Sequence, residues 1–256
     1  MHLQQLSYQR NQAVKSGDDF RRKYIARLGS EMLPSYKASA HLLSRQLFRK
    51  VAAERRLVSP DTNMGPFKLW CDDFRPVNIL INEHNRIVGV VDWEFTYAAP
   101  TEFTYSPPWW LLLAMPEEWP QGLNDWAAKY EPRLEMFLLV MEAKERNFIE
   151  EGRLDQSQVL SRHMRRSWET GDFWVAYAAR KSWAFDGIYW RSLDKLFFGN
   201  DGDSIKDRLI LLPSNQAAAM EGFVERKMQE KEECRLIDWY VEESDSNLPP
   251  DIHSLC

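Results

Sequence analysis

The chain has 256 residues, 44% of them apolar and 28% charged, and a formal net charge of −5. This is ordinary composition for one large globular domain or two small ones, and the lack of any long basic run excludes the electrostatic footprint of nucleic-acid binding. The longest apolar run, Trp109 to Met115, falls far short of the roughly 20 residues a membrane span needs. The start, Met1-His2-Leu3-Gln4-Gln5, lacks the apolar core of a secretion signal. Cys71, Cys234 and Cys256 are widely spaced and odd in number, which predicts a reducing, cytoplasmic setting and no disulfide framework. Eleven tryptophans predict a densely packed, mostly helical core, with a pocket lining as the alternative.

The first part of the chain reads as helical. Phe20, Tyr24 and Leu28 fall four apart, and a second helix is expected through His41, Leu42, Leu47 and Val51. Ser59 to Pro66 is rich in breakers and reads as a loop. Phe67 to Trp70 is a short apolar segment, and then the period changes. Ile79-Leu80-Ile81 and Ile87-Val88-Gly89-Val90-Val91 are strand-like runs joined by the polar Glu83-His84-Asn85-Arg86, so the pair predicts a β-hairpin. Pro107-Pro108 predicts a helix start running through Trp109 to Met115. Asn124 or Asp125 is the expected cap of the next helix. Pro132 is expected to kink or restart it before Leu134, Phe137, Leu138 and Met141. Gly152 and Gly171 are expected stops. Asp172 to about Leu193 carries Trp174, Tyr177, Phe185 and Tyr189 on one broad face, and Ser214 to about Trp239 reads as a last amphipathic helix. The acidic, polar segment from residue 241 reads as a frayed tail. The fold class predicted is therefore α+β, mainly helical, with one central β-hairpin in a domain spanning residues 1–240.

Asp73 and Asn78 form a D-x-x-x-x-N pattern directly before the hairpin, and Asp92 ends its second strand. The hairpin is expected to return Asp92 to the side of Asn78, so that three oxygen-bearing side chains converge at one end of a small sheet. Phosphoryl transfer needs such a set: one carboxylate to orient the attacking hydroxyl and take its proton, and an amide and a carboxylate oxygen to hold Mg²⁺ against nucleotide phosphates. The bland reading makes the same residues turn and cap positions.

Cys71-Asp72-Asp73-Phe74-Arg75-Pro76-Val77-Asn78-Ile79-Leu80 resembles the H-G-D-x-x-P-x-N-I-L catalytic loop of aminoglycoside phosphotransferases and their choline-kinase relatives. Val88-Gly89-Val90-Val91-Asp92-Trp93-Glu94 resembles that family's metal-binding segment, the counterpart of D-F-G in protein kinases. The stretches Asp92 to Leu113 and Trp168 to Trp174 are similar to a fungal branch. The resemblance implies a kinase-like C-lobe and a fungal, ATP- and Mg²⁺-dependent kinase acting on a hydroxyl of a small-molecule acceptor. It implies Asp73 as the base, Asn78 and Asp92 as Mg²⁺ ligands, and Arg75 as a contact to the transferred phosphoryl group. For Arg75 an ion pair with an acidic neighbour is the equal alternative. Two departures stand out. Cys71 and Asp72 replace the loop's usual histidine and glycine, with Asp72 expected to point into solvent. No GxGxxG, P-loop or strand-borne lysine precedes residue 71, so the N-lobe that holds ATP is expected to be missing.

Two functional classes follow: an active small-molecule phosphotransferase, or a catalytically inactive relative serving as a binding or interaction module. The five histidines are scattered without a zinc pattern. Gly199 to Asp203 lacks the closing glutamate of a calcium loop, because Leu212 stands there. Glu169, Asp172 and Asp186 are either acceptor contacts from a late helix or simply caps and solvent-facing acids, the latter being expected.

Overall fold

A computed structural model describes residues 34–60, 62, 65–199 and 205–233. The chain divides into two compact units: Arg55–Leu196, and a second that combines Met1–Glu54 with Phe197–Cys256. The expected helix around Phe20, the loop from Asn200 to Asp203 and the acidic tail lie outside the described residues.

In the second unit, helix α1 (Pro34–Ala53) buries Leu43, Leu47 and Val51 at four-residue spacing, the stripe expected of a helix facing a core. It packs against two later helices, Ile205–Leu209 and Ser214–Glu232, whose buried side chains include Ile205, Met220 and Val224. The buried Arg208 guanidinium donates to the Gly199 carbonyl at 2.8 Å.

The unit Arg55–Leu196 is mainly helical, starting with the short α2 (Thr101–Tyr105), and it carries two antiparallel pairs of strands. The predicted hairpin is present as β2 (Ile79–Ile81) and β3 (Ile87–Val90), with Ile79 opposite Val90. Its turn is set by Asn82, whose Oδ1 accepts from the backbone N–H groups of His84 and Arg86 at 3.0 Å each. Asn85 takes a left-handed φ of 56°, as asparagine does more readily than most residues. The single hairpin expected from the sequence is thereby corrected to two sheets. Phe67–Cys71 (β1) pairs with Thr96–Pro100 (β4), Trp70 opposite Tyr97 and Cys71 opposite Thr96. β4 was hidden because its strand formers Thr96 and Tyr97 sit in a short segment that ends in proline.

Three helical expectations also need correction. Trp109–Leu112 forms only a 3-10 turn, ended by Leu113 in the left-handed region at φ 59°. Pro132 neither kinks nor restarts its helix, because α3 runs unbroken from Leu123 to Glu150. The buried stripe of α3, Trp126, Tyr130, Leu134 and Leu138, lies on one face, while Pro132 faces solvent. There, water can take over the carbonyl that proline leaves without a donor. Asp172 to Leu193 is not one helix. α5 (Asp172–Arg180) stops at Lys181, and the chain resumes as Phe185–Ile188 and a π-turn, Tyr189–Leu193.

Gly171 does act as a stop. It closes α4 (Ser161–Thr170) at φ 86°, a conformation glycine adopts without a steric penalty. The N-terminus of α4 is held by a buried carboxylate of α3: Glu145 accepts from the N–H groups of Leu160 at 2.7 Å and Ser161 at 3.2 Å, and from the Ser161 hydroxyl. Negative charge is favoured at that end of a helix. The core between α3, α4 and α5 is aromatic. Trp126 stacks on Tyr130 with centroids 4.4 Å apart, and Phe173 lies within 6.1 Å of Trp126 and 5.3 Å of Trp168. The tryptophan-rich composition therefore serves the core at Trp126 and Trp174, which are 0% and 6% exposed. No helix among the described residues is long and apolar enough to cross a membrane.

Candidate active site

The segment between β1 and β2 is a tight loop. Phe74 N–H bonds the Cys71 carbonyl at 3.3 Å, and a 3-10 turn over Pro76–Asn78 brings Asn78 N–H to the Arg75 carbonyl at 3.0 Å. Proline at the first position of that turn has a suitable fixed φ and no N–H to satisfy. The loop is tied to its surroundings at both ends. Asp72 N–H reaches the Phe95 carbonyl at 3.2 Å, and Trp110 Nε1 donates to the Phe74 carbonyl at 2.9 Å.

The loop joins Asp73 to Asn78 directly. Asn78 is 7% exposed, and its Nδ2 donates to the Asp73 carbonyl at 2.8 Å and to Asp73 Oδ2 at 2.9 Å. Both amide hydrogens are thus committed to acceptors, which fixes the orientation of the amide and leaves its Oδ1 for another partner. Arg75 Nε pairs with Asp73 Oδ1 at 2.8 Å, so of the two alternatives for Arg75 the structure contains the ion pair.

Asp92 arrives by the hairpin. Val91 N–H bonds the Asn78 carbonyl at 3.0 Å, one residue before Asp92. The Asp92 carbonyl lies 3.9 Å from the free Cys71 thiol. Asp92 has a φ of 66°, a left-handed conformation that aspartate tolerates better than most side chains but that still carries strain. Its carboxylate is exposed and makes no hydrogen bond or ion pair among the described residues. The Asn78 Oδ1 and the Asp92 carboxylate are hard oxygen donors, which suit Mg²⁺. No group of three or more His, Cys, Asp or Glu among the described residues is placed to hold a metal. A cation here would therefore take most of its ligands from water and phosphate, the usual habit of Mg²⁺.

Asp72 does not point into solvent. It is the centre of a clasp: Oδ1 accepts from Trp70 Nε1 at 2.8 Å and Arg180 Nη1 at 3.2 Å, and Oδ2 from the Tyr97 hydroxyl at 3.1 Å. The Arg180 side chain is 5% exposed and lies 4.6 Å from the Trp70 ring centroid and 5.1 Å from that of Phe103. Partial burial, and then the neighbouring Asp72 charge, push the Tyr97 phenol up to about 12. The expectation for Asp72 failed because its principal partner lies 108 residues away at the end of α5. The local signal was the alternation of Trp70 and Asp72, which places them on one side of an extended chain.

A second buried acid lies in the turn Pro116–Glu118. Glu117 is 6% exposed and accepts from the Tyr177 hydroxyl and Trp183 Nε1 at 2.7 Å each. Burial raises its pKa, and these hydrogen bonds offset only part of that. Lys181, just beyond α5, is half-buried, and burial lowers its pKa. Neither residue stood out in the sequence, which offers no motif around them. Of the late acids weighed as acceptor contacts, Glu169 is exposed, and Asp172 stands in the first turn of α5, where it accepts from Thr170 Oγ1 at 2.8 Å. Asp186 occupies the first turn of Phe185–Ile188. No family model, curated protein or solved structure matches the chain.

Proposed function

We propose that the chain is the catalytic lobe of an ATP- and Mg²⁺-dependent phosphotransferase acting on a small-molecule hydroxyl, a relative of the aminoglycoside phosphotransferases and choline kinases with a kinase-like C-lobe. The observation that carries this reading is the joined set of Asp73 and Asn78, with Asp92 one residue past the backbone bond from Val91 to Asn78, in a strained conformation and with its carboxylate uncommitted. Asp73 is the base. Its Oδ2 already accepts from Asn78 Nδ2 and Arg75 Nη2, while Oδ1, which carries only the contact with Arg75 Nε, retains a lone pair for a substrate hydroxyl. Asn78 Oδ1 and Asp92 would hold Mg²⁺, which when bound would offset the charge of the phosphates. Arg75 orients Asp73, and it would have to exchange that partner to touch a phosphoryl oxygen.

The test is ATP turnover by the chain with Mg²⁺ against a panel of hydroxylated small molecules. Asp73→Asn is expected to lower any Mg²⁺-dependent turnover by about 10²–10⁴-fold, the usual contribution of a general base. Unchanged turnover in that variant would refute the role.

The second reading, an inactive relative that acts as an interaction module, draws on the apolar residues that the strand pairs leave in solvent. Leu69, Ile87 and Val88 are 74%, 68% and 63% exposed. This reading expects no turnover with any acceptor.

A further inference from the structure

Most of the large apolar side chains exposed among the described residues fall between Phe67 and Tyr97, on the two strand pairs and the loops that join them. Each leaves roughly 100 Å² in water, so the twelve of them expose more than the about 800 Å² that one partner buries in an interface of standard size. Each sheet has only two strands among the described residues, so β3 has a strand on one edge only. Val91 N–H bonds the Asn78 carbonyl, and Gly89 lies opposite Leu80. Backbone groups alternate along an antiparallel ladder, which turns those of Val90 away from β2. The Val90 carbonyl accepts from Trp93 Nε1 at 3.0 Å and keeps a second lone pair. The register shifts between Leu80 and Ile81, and Val88 is left without a partner on β2.

The segment Arg86-Ile87-Val88-Gly89-Val90-Val91-Asp92 is complementary to itself. Laid antiparallel on a copy of itself about Gly89, it sets Val88 opposite Val90, Ile87 opposite Val91 and Arg86 opposite Asp92. We propose that β3 pairs in this register with β3 of a second copy of the chain, joining the two hairpins into one four-stranded sheet. A two-fold interface repeats every contact, so the pairing forms two Arg86–Asp92 ion pairs. Both side chains are exposed, and neither makes a hydrogen bond or ion pair within the described residues. Any apolar strand could cover Ile87 and Val88, but this register also matches the charge at both ends, and that singles out a second copy. Glycine on the axis lets two backbones approach closely, and four strands are more stable than an isolated pair. The Asp92 carboxylate has two oxygens, so a contact from Arg86 of the second copy leaves one for a cation. The pairing goes beyond the phosphotransferase reading and stands without it.

Sedimentation velocity of the full chain at micromolar concentration reads the number of copies. Wild type is expected to be a dimer. Val88→Glu should raise the dissociation constant by about a hundredfold or more, because an unpaired charge buried between the strands is costly. Arg86→Glu, which sets like charges opposite each other, should raise it by about tenfold or more. Leu139→Glu is the control: Leu139 is 63% exposed, as Val88 is, but lies on α3, and this variant should remain a dimer. The register has its own test, which does not depend on a destabilising substitution. A side chain at Gly89 meets nothing nearer than Leu80 Cδ1 at 3.6 Å, so Gly89→Cys fits the hairpin. Mild oxidation should link two copies of that variant through the new cysteine, on a gel where wild type stays unlinked. Circular dichroism checks that each variant is folded. A monomeric wild type, a dimer that either Val88→Glu or Arg86→Glu leaves intact, or a Gly89→Cys variant that does not link would overturn the inference.

Discussion

Replacing Arg180 with methionine removes the guanidinium but keeps most of the side-chain volume, and so isolates the charge in the Asp72 clasp. Removing one partner of a buried ion pair costs about 3–5 kcal/mol. That figure must be discounted here, because Asp72 is 28% exposed and keeps two neutral donors, Trp70 Nε1 and the Tyr97 hydroxyl. About 2 kcal/mol is left for the pair. The stacking of the guanidinium on Trp70 and Phe103 adds about 0.5–1 kcal/mol, for a total near 3 kcal/mol. Urea unfolding followed by tryptophan fluorescence reads this as a midpoint lowered by about 1–3 M, given slopes of about 1–3 kcal/mol per molar. The double-mutant cycle with Asp72→Asn then isolates the pair, and a coupling of about 1–2 kcal/mol is expected. A coupling below about 0.5 kcal/mol, within the scatter of unconnected sites, would refute the view that Arg180 anchors the loop through Asp72.

The clasp also has a spectroscopic signature. Asp72→Asn removes the charge that helps to raise Tyr97, so the tyrosinate absorption of that residue should move from about 12 towards its ordinary 10.0. Tyr97→Phe assigns the transition, and an unmoved transition would contradict the hydrogen bond. Glu117 sets a pH dependence of stability. Its pKa in the fold is raised above the ordinary 4.5 by burial, so the folded state holds the proton more tightly than the unfolded chain. Its contribution is full below 4.5 and is lost as pH rises through the raised value. Glu117→Gln should remove that loss, because the amide can still accept from Trp183 and donate to Tyr177. Unfolding midpoints of the two proteins should diverge as pH rises above 4.5, and parallel profiles would exclude the effect.

The elements with strong local signals were legible in the sequence. α1 was visible because Leu47 and Val51 repeat at the helical period, and the hairpin because two apolar runs flank a polar turn. What failed were decisions settled by partners distant in sequence. β4 exists because β1 pairs with it, Trp70 opposite Tyr97. Pro132 is tolerated because α3 turns that residue to water while Tyr130 and Leu134 face the core. In both cases tertiary context overrode a sound local rule.

The site divides along the same line. Asp73, Arg75 and Asn78 lie within six residues, and the turn at Pro76 is enough to bring them into contact. Asp92 needs only the hairpin register, which local pairing supplies. The second layer depends on α5, whose last residue and its successor, Arg180 and Lys181, are neighbours in sequence with opposite fates. Arg180 is consumed by Asp72 and the rings of Trp70 and Phe103, whereas the Lys181 ammonium lies over the Trp183 ring. The difference follows from the end of the helix. Arg180 is still on α5 and donates back to the Ala176 carbonyl at 2.9 Å, while Lys181 leaves it at φ −117° and ψ 80°. Two adjacent cations are thereby sent in different directions, one to brace the loop and the other over the Trp183 ring. Sequence alone carries no sign of that split, since it arises where α5 ends and not from either residue's own preference.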